Sequence, residues 1–256
     1  MAKRMKIPIF HMEAGNRSFD LNVPEEINRR IIDHIADFNL VYTENSRRHL
    51  LAEGLPHRYI YVTGSPMYEV LHQYMDKIRS SKILDTLKLE KNRYFIVSCH
   101  REENVDYPSN LRKILTILNR LAETYDMPVV VSTHPRTRKR IEALEGVEID
   151  SRVQFLKPFG FFDYNCLQMN SLVVLSDSGT LSEESAMLGF CGVLIRTSTE
   201  RPEVLDKGTV VIGGITQQSV EQAAQQAIAM QRAGEPRAMP ADYQDANVSV
   251  KVVKLI

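Results

Sequence analysis

Apolar residues along this chain fall into short runs that alternate with longer stretches in which they recur every three or four positions. The runs at 7–10, 40–42, 59–62, 94–98, 129–132, 153–156, 172–175, 193–195 and 209–212 have the length of strands. The periodic stretches between them predict helices, clearest at 111–125, 137–144, 162–169, 181–188 and 218–230. Nearer the start, Ile27, Ile31, Ile32 and Ile35 share one helical face behind Pro24, a residue suited to a first helical turn, and Glu25 and Glu26 follow it. Strands separated by helices of this length imply parallel βαβ units and an α/β fold.

Two interruptions divide the pattern. Gly64-Ser65-Pro66 breaks it, and a charged, apolar-poor stretch at 76–92 reads as helix and linker. The expected organisation is therefore a first domain at 1–70, a helix and linker at 71–92, a second domain at 93–243 and a last helix at 244–256. The first domain is short for its class and the last helix is curtailed, so the expectation is a truncated chain. There is no internal repeat, only a polar, proline-containing stretch at 233–247.

Charge narrows the functional classes. Lys plus Arg (32) balance Asp plus Glu (32), so no global field draws nucleic acid or an anionic membrane, and any anion site has to be local. No apolar run approaches the ~20 residues that span a bilayer, and Met1-Ala2-Lys3-Arg4 lacks the apolar stretch of a signal peptide. Cys99, Cys166 and Cys191 fit neither a disulfide framework nor a CxxC metal site, which points to a reducing cytoplasm. His34, His49, His57 and His72 have no ligand spacing, and no GxGxxG occurs, so neither a metal nor a nicotinamide or flavin cofactor is expected.

In doubly wound folds, ligands bind at the carboxyl ends of the strands. The run at 7–10 leads to His11 and Glu13, that at 94–98 to His100-Arg101-Glu102-Glu103, that at 129–132 to His134, and that at 172–175 to Asp177-Ser178-Gly179. Asp177-Ser178-Gly179-Thr180 ahead of a helix suits an anion cradle, though Ser178 or Thr180 would equally serve as an ordinary helix cap. His100-Arg101 suits an anion or developing negative charge, or a surface ion pair with Glu102 and Glu103. Glu13 and Glu25 suit proton transfer, while Glu25 would also complement a helix dipole; Arg17 and Arg29 suit either ion pairing or substrate contact.

In combination, His11-Met12-Glu13-Ala14-Gly15-Asn16-Arg17, Pro24-Glu25-Glu26-Ile27-Asn28-Arg29, His100-Arg101, Ser176-Asp177-Ser178-Gly179-Thr180 with Glu183-Glu184, and Thr199-Glu200-Arg201-Pro202-Glu203 resemble the non-hydrolysing UDP-N-acetylglucosamine 2-epimerase family. The likeness runs from about Lys6 to Gly213. It implies two Rossmann-like domains facing a cleft (GT-B-like), the first incomplete, with closure over substrate through the Gly64-Ser65-Pro66 region. It implies catalytic roles for Glu13, Glu25 and His100. Substrate binding would fall to Arg101, Ser178, Gly179, Thr180, Glu184 and Arg201: Ser178 and Gly179 at the pyrophosphate, Glu184 at the ribose, Arg201 at a phosphate or on the uracil side. Thr180 stands where the family usually has glycine, and the spacing from Glu13 to Glu25 is shorter than in its best-studied branch.

The implied activity is C2 epimerisation of a UDP-N-acetylhexosamine, by elimination and re-addition of UDP, for surface (capsular) polysaccharide synthesis. It needs no cofactor, and the full-length protein would be a homodimer; a shortened chain would be poorly active. The string 100–106 and the segment 8–16 resemble a branch acting on 6-deoxy UDP-N-acetylhexosamines in the UDP-L-FucNAc pathway. A hydrolysing relative, a GT-B glycosyltransferase and a UDP-sugar-binding fragment are the rival readings.

Overall fold

Strands and helices alternate through the computed structural model, which describes residues 1–234 and 238–256; residues 235–237 of the polar stretch lie outside the described residues. The first elements are β1 (Phe10–Met12), α1 (Pro24–Ile35), β2 (Phe38–Val41), α2 (Glu44–Ala52), β3 (Ile60–Val62) and α3 (Pro66–Arg79). Next come α4 (Ile83–Leu87), β4 (Phe95–Ser98), α5 (Glu102–Val105), α6 (Pro108–Tyr125), β5 (Val129–Ser132) and α7 (Pro135–Glu142). The rest comprises β6 (Val153–Leu156), α8 (Phe161–Asn170), β7 (Val173–Ser176), α9 (Thr180–Leu188), β8 (Gly192–Leu194), α10 (Pro202–Asp206), β9 (Val210–Ile212), α11 (Gln217–Ala233) and α12 (Val248–Leu255). Among the described residues the strands form two parallel sheets, ordered β1-β2-β3 and β6-β5-β4-β7-β8-β9. The fold is α/β, as the apolar pattern predicts.

The chain forms two compact units. Unit 1 takes Met1–Gln73, Ser198–Lys207 and Met239–Ile256; unit 2 takes Tyr74–Thr197 and Gly208–Ala238. The boundaries expected from sequence differ, since 198–207 and 239–243 fall within the stretch assigned to the second domain. Packing explains the difference. Val248 and Val252 of α12 cover Leu40 of β2, with Phe10, Tyr61 and Leu255 against them. The Tyr243 hydroxyl donates to Glu203 Oε1 at 2.6 Å, tying the other two segments together inside unit 1.

Counted from β4, the strands of unit 2 run 3-2-1-4-5-6, the order of a doubly wound dinucleotide-type sheet whose ligand crevice opens where the winding reverses. Here that point is the β4–β7 pair, in register from Phe95↔Val173 to Ser98↔Ser176. The central strands β4, β5, β7 and β8 are buried on both faces, and Phe95, Val97, Val129, Val131, Val173, Leu175 and Val193 pack with Leu111, Leu115 and Leu118 of α6 and Val220, Ala224 and Ala227 of α11.

Unit 1 departs from the sequence expectation in two places. The first strand begins at Phe10, after Pro8, which has no N–H for a ladder. Helix α1 is turned inside out: Glu26 and Asp33 are fully buried, whereas Ile27, Ile31, Ile32 and Ile35 are 38–56% exposed. The polar stripe is held by Ser18, Arg30, Arg17, His11 and the Gly15 amide, so the carboxylates, not the isoleucines, set the orientation.

After β1 the chain turns through Gly15, whose φ of +76° and close approach to α2 exclude a side chain: a Cβ there would lie 2.4 Å from the Ser46 carbonyl oxygen. Gly15→Ala is expected to cost roughly 2 kcal/mol or more, read as a lower urea midpoint; an unchanged midpoint would contradict this packing.

Candidate active site

In unit 1, β1 delivers His11 into a turn that contains Glu13 in a left-handed conformation, φ +61°. Such a conformation is uncommon for a residue with a side chain and needs fixing from outside. Asp33, on α1, provides that fixing. Its carboxylate meets His11 Nδ1 at 2.7 Å, accepts from the Gly15 amide at 3.2 Å, and pairs with Arg17 Nη1 at 2.7 Å. Arg17 is itself fully buried and doubly bonded to Glu53, at 2.7 and 2.8 Å. That guanidinium holds the Glu53 carboxyl down at about 2. The ion-pairing role is thus the observed one for Arg17.

Glu13 projects from this turn with its side chain 40% exposed. It accepts from Arg201 Nη2 at 2.6 Å and Asn16 Nδ2 at 3.2 Å, and Arg29 Nη2 lies 3.8 Å away. Arg29 Nη1 is buried without a partner. Arg201 is almost wholly buried, with its guanidinium 5.8 Å from the Tyr42 ring centroid. A carboxylate set between two guanidiniums at a strand end is suited to anionic substrate and to proton movement beside it. Glu25 stands exposed in the first turn of α1.

In unit 2, the loops after β4 and β7 meet. Asp177, fully buried, accepts from Cys99 Sγ at 3.0 Å, His100 N at 3.0 Å, Arg101 N at 2.9 Å and Asn104 Nδ2 at 3.1 Å. His100 is half-exposed, its Nδ1 3.4 Å from the same carboxylate. Burial, then the Asp177 charge, push the Cys99 thiol far up, so it is a donor and not a nucleophile. Ser178 and Thr180 share a hydroxyl contact at 3.0 Å where α9 starts, and Ser178, Gly179 and Thr180 all retain some exposure. The Ser178 amide donates to Ser176 Oγ at 3.1 Å and the Thr180 amide to Ser178 Oγ at 3.4 Å, so an anion here would meet the Ser178 and Thr180 hydroxyls and the positive end of the α9 dipole.

One turn into α9, Glu184 is buried and accepts from Gln168 Nε2 at 2.7 Å. Burial, with Glu183 adding to it, raises its carboxyl to about 7. The neighbouring Tyr164 hydroxyl is raised as well, by burial and by the Glu184 charge.

The whole chain, residues 1–256, matches the UDP-N-acetylglucosamine 2-epimerase family. The chain belongs to that family. An epimerase of this name from Methanocaldococcus jannaschii is 31% identical over 231 residues, covering 88% of this chain; the chain spans 63% of that relative's length. A Rickettsia bellii UDP-N-acetylglucosamine 2-epimerase structure superposes with TM-score 0.91 at 44% identity, covering 99% of this chain and 68% of that one. A complex of the Methanocaldococcus jannaschii UDP-GlcNAc 2-epimerase with UDP-GlcNAc and UDP gives TM-score 0.89 at 29% identity, covering 99% and 70%.

For this family member, the structure brings Glu13, Arg29 and Arg201 together in unit 1, and in unit 2 it brings His100 and Arg101 to Asp177, which leads into Ser178, Gly179 and Thr180. Arg201, expected on the nucleotide side of the second domain, belongs to unit 1. Asp177, read as part of the anion cradle, turns inward. His134 caps α7, its Nδ1 accepting from Arg136 N at 3.3 Å, as a plain turn residue. Sequence reading passed over Asp33, Glu53 and Gln168. The one available signal was the spacing of Glu26, Arg30 and Asp33, a charged stripe parallel to the isoleucines.

Glu184 yields a prediction. In an unfolded chain it ionises near 4.5, whereas the folded carboxyl keeps its proton to about 7. Between those values the native state binds a proton that the unfolded state has lost, so stability falls as pH rises through this window. Glu184→Gln should therefore melt higher than wild type at pH 8, by on the order of 2–3 kcal/mol, and equally at pH 4. Paired thermal melts at the two pH values check this.

Proposed function

We propose that this chain carries the catalytic groups of a UDP-N-acetylhexosamine 2-epimerase, unit 1 moving the proton and unit 2 anchoring UDP. The observation behind it is the Glu13 carboxylate, fixed in a left-handed turn and bonded to Arg201 at 2.6 Å. Family membership supplies the reaction class, and the solved relative with bound UDP-GlcNAc and UDP supports the substrate class.

In this reading a carboxylate takes the C2 proton, the C–H electron pair becomes a C1=C2 double bond, and the C1–O bond breaks to release UDP. A proton returned to the opposite face of C2 with re-addition of UDP at C1 gives the epimer. Glu13 and Glu25 are the acid and base. His100 and Arg101 neutralise the departing diphosphate, which Ser178, Gly179 and Thr180 receive, while Glu184 takes the ribose hydroxyls. Arg201, bonded to Glu13, acts beside the acid/base centre. Which hexosamine is used, including the 6-deoxy kind, belongs to the same proposal, as do cytoplasmic location, a surface-polysaccharide role and homodimerisation. Among the described residues no helix is long and apolar enough to cross a membrane.

Incubation with UDP-GlcNAc in heavy water tests the reading. Deuterium at C2 of an intact, epimerised nucleotide sugar is the expected product. Free sugar plus UDP identifies a hydrolysing enzyme, and absence of exchange without an acceptor favours a glycosyltransferase or a binding fragment. Glu13→Gln should slow exchange by about 10²–10⁴-fold while UDP affinity changes little.

A further inference from the structure

We infer that Asp177 is the positioning residue for His100 and Arg101, and contacts no ligand itself. The inference rests on unit 2 being the UDP-holding part of the molecule, and names how its cationic loop is shaped. An ionised carboxylate has roughly four lone-pair sites. In Asp177, Oδ2 accepts from Cys99 Sγ, the His100 and Arg101 amides and Asn104 Nδ2 at 2.9–3.1 Å, Oδ1 faces the His100 amide at 3.2 Å and His100 Nδ1 at 3.4 Å, and no surface is left to solvent. A phosphate brought to this group would meet like charge; the carboxylate instead bonds backward, across the β4–β7 switch point, to the loop that follows β4.

Three features make this a shape-setting contact and not simple satisfaction of a buried acid. The two backbone donors are consecutive, so accepting from both fixes the peptide planes around His100 and Arg101. The same oxygen that holds the Arg101 amide also binds Asn104, in α5, whose Nδ2 reaches the Ile195 carbonyl just past β8 at 3.3 Å. The Asp177 amide in turn donates to the Ser98 carbonyl at 3.2 Å, closing the link from β7 back to β4. The His100 ring and the Arg101 side chain therefore leave a backbone whose direction Asp177 sets, while Ser178, Gly179 and Thr180 follow it outward to α9.

The test uses the isotopically labelled full chain and UDP as probe. In wild type, the His100 and Arg101 amide protons should resonate downfield and exchange slowly with deuterium, as donors to a buried carboxylate do. Asp177→Asn should move both amides upfield, leave those of Leu181 and Ser182 in place, and raise the UDP dissociation constant about tenfold or more. A folded Asp177→Asn protein with unmoved amides, or with moved amides and wild-type UDP affinity, overturns the inference. If that variant fails to fold, the wild-type exchange pattern decides, together with Asn104→Ala, which should shift the same two amides by less; fast exchange at His100 and Arg101 overturns it. Wild type that shows no UDP binding at all defeats the proposed function, and the amide pattern then judges the positioning claim alone.

Discussion

A carboxylate removed from water must collect donors for its lone pairs or lose its charge, and that demand organises both units. In unit 1 the acid is Asp33, which gathers an imidazole, a guanidinium and the Gly15 amide. In unit 2 it is Asp177, which gathers a thiol, an amide side chain and two backbone amides. In each case some of the donors belong to the loop leaving a strand, the same loop that presents the candidate side chains Glu13 in unit 1 and His100 and Arg101 in unit 2. The strand ends are short of apolar cover, so charge-assisted hydrogen bonds do there what packing does in the sheets.

The inversion of α1 shows which force prevails when the two compete. Burying the exposed half of each of the four isoleucines would gain roughly 1 kcal/mol apiece, yet the stripe faces outward. Turning it inward would expel Glu26 and Asp33 and strand Arg17, fully buried, with one partner fewer; breaking a buried pair costs roughly 3–5 kcal/mol. Helix orientation is thus fixed by the ion-pair network that also shapes the Glu13 turn. Orientation and chemistry are consequences of the same contacts.

Much of the architecture was readable from residue pattern. The strands expected at 129–132 and 153–156 form at those residues, because both are short, mostly apolar, β-branched or aromatic segments between turns. The polar clusters after β1, β4 and β7 were legible as candidates because βα loops are where such folds put polar side chains. The facing of α1 was not legible, since its charged and apolar stripes have the same helical period. The inward turn of Asp177 was hidden too: a short acid beside small residues reads as a ligand loop until the donors of a distant loop are seen around it. Arg201 was placed on the nucleotide side by the resemblance of 199–203 to a family stretch, and only the packing of 198–207 reveals its place in unit 1 beside Glu13.

The return of the chain to unit 1 has a bearing on how the molecule is made. Leu40 is covered by Val248 and Val252, and the Glu44 amide bonds to Asp242 across 198 residues of sequence. The β1-β2-β3 sheet therefore stays uncovered over Leu40 until α12 has been made, while the intervening unit assembles its own strands from closer partners. Long-separated contacts of this kind slow the final folding step and lengthen the time that apolar surface is open to misassociation. Of the two sheets, the one made first is the last to be sealed.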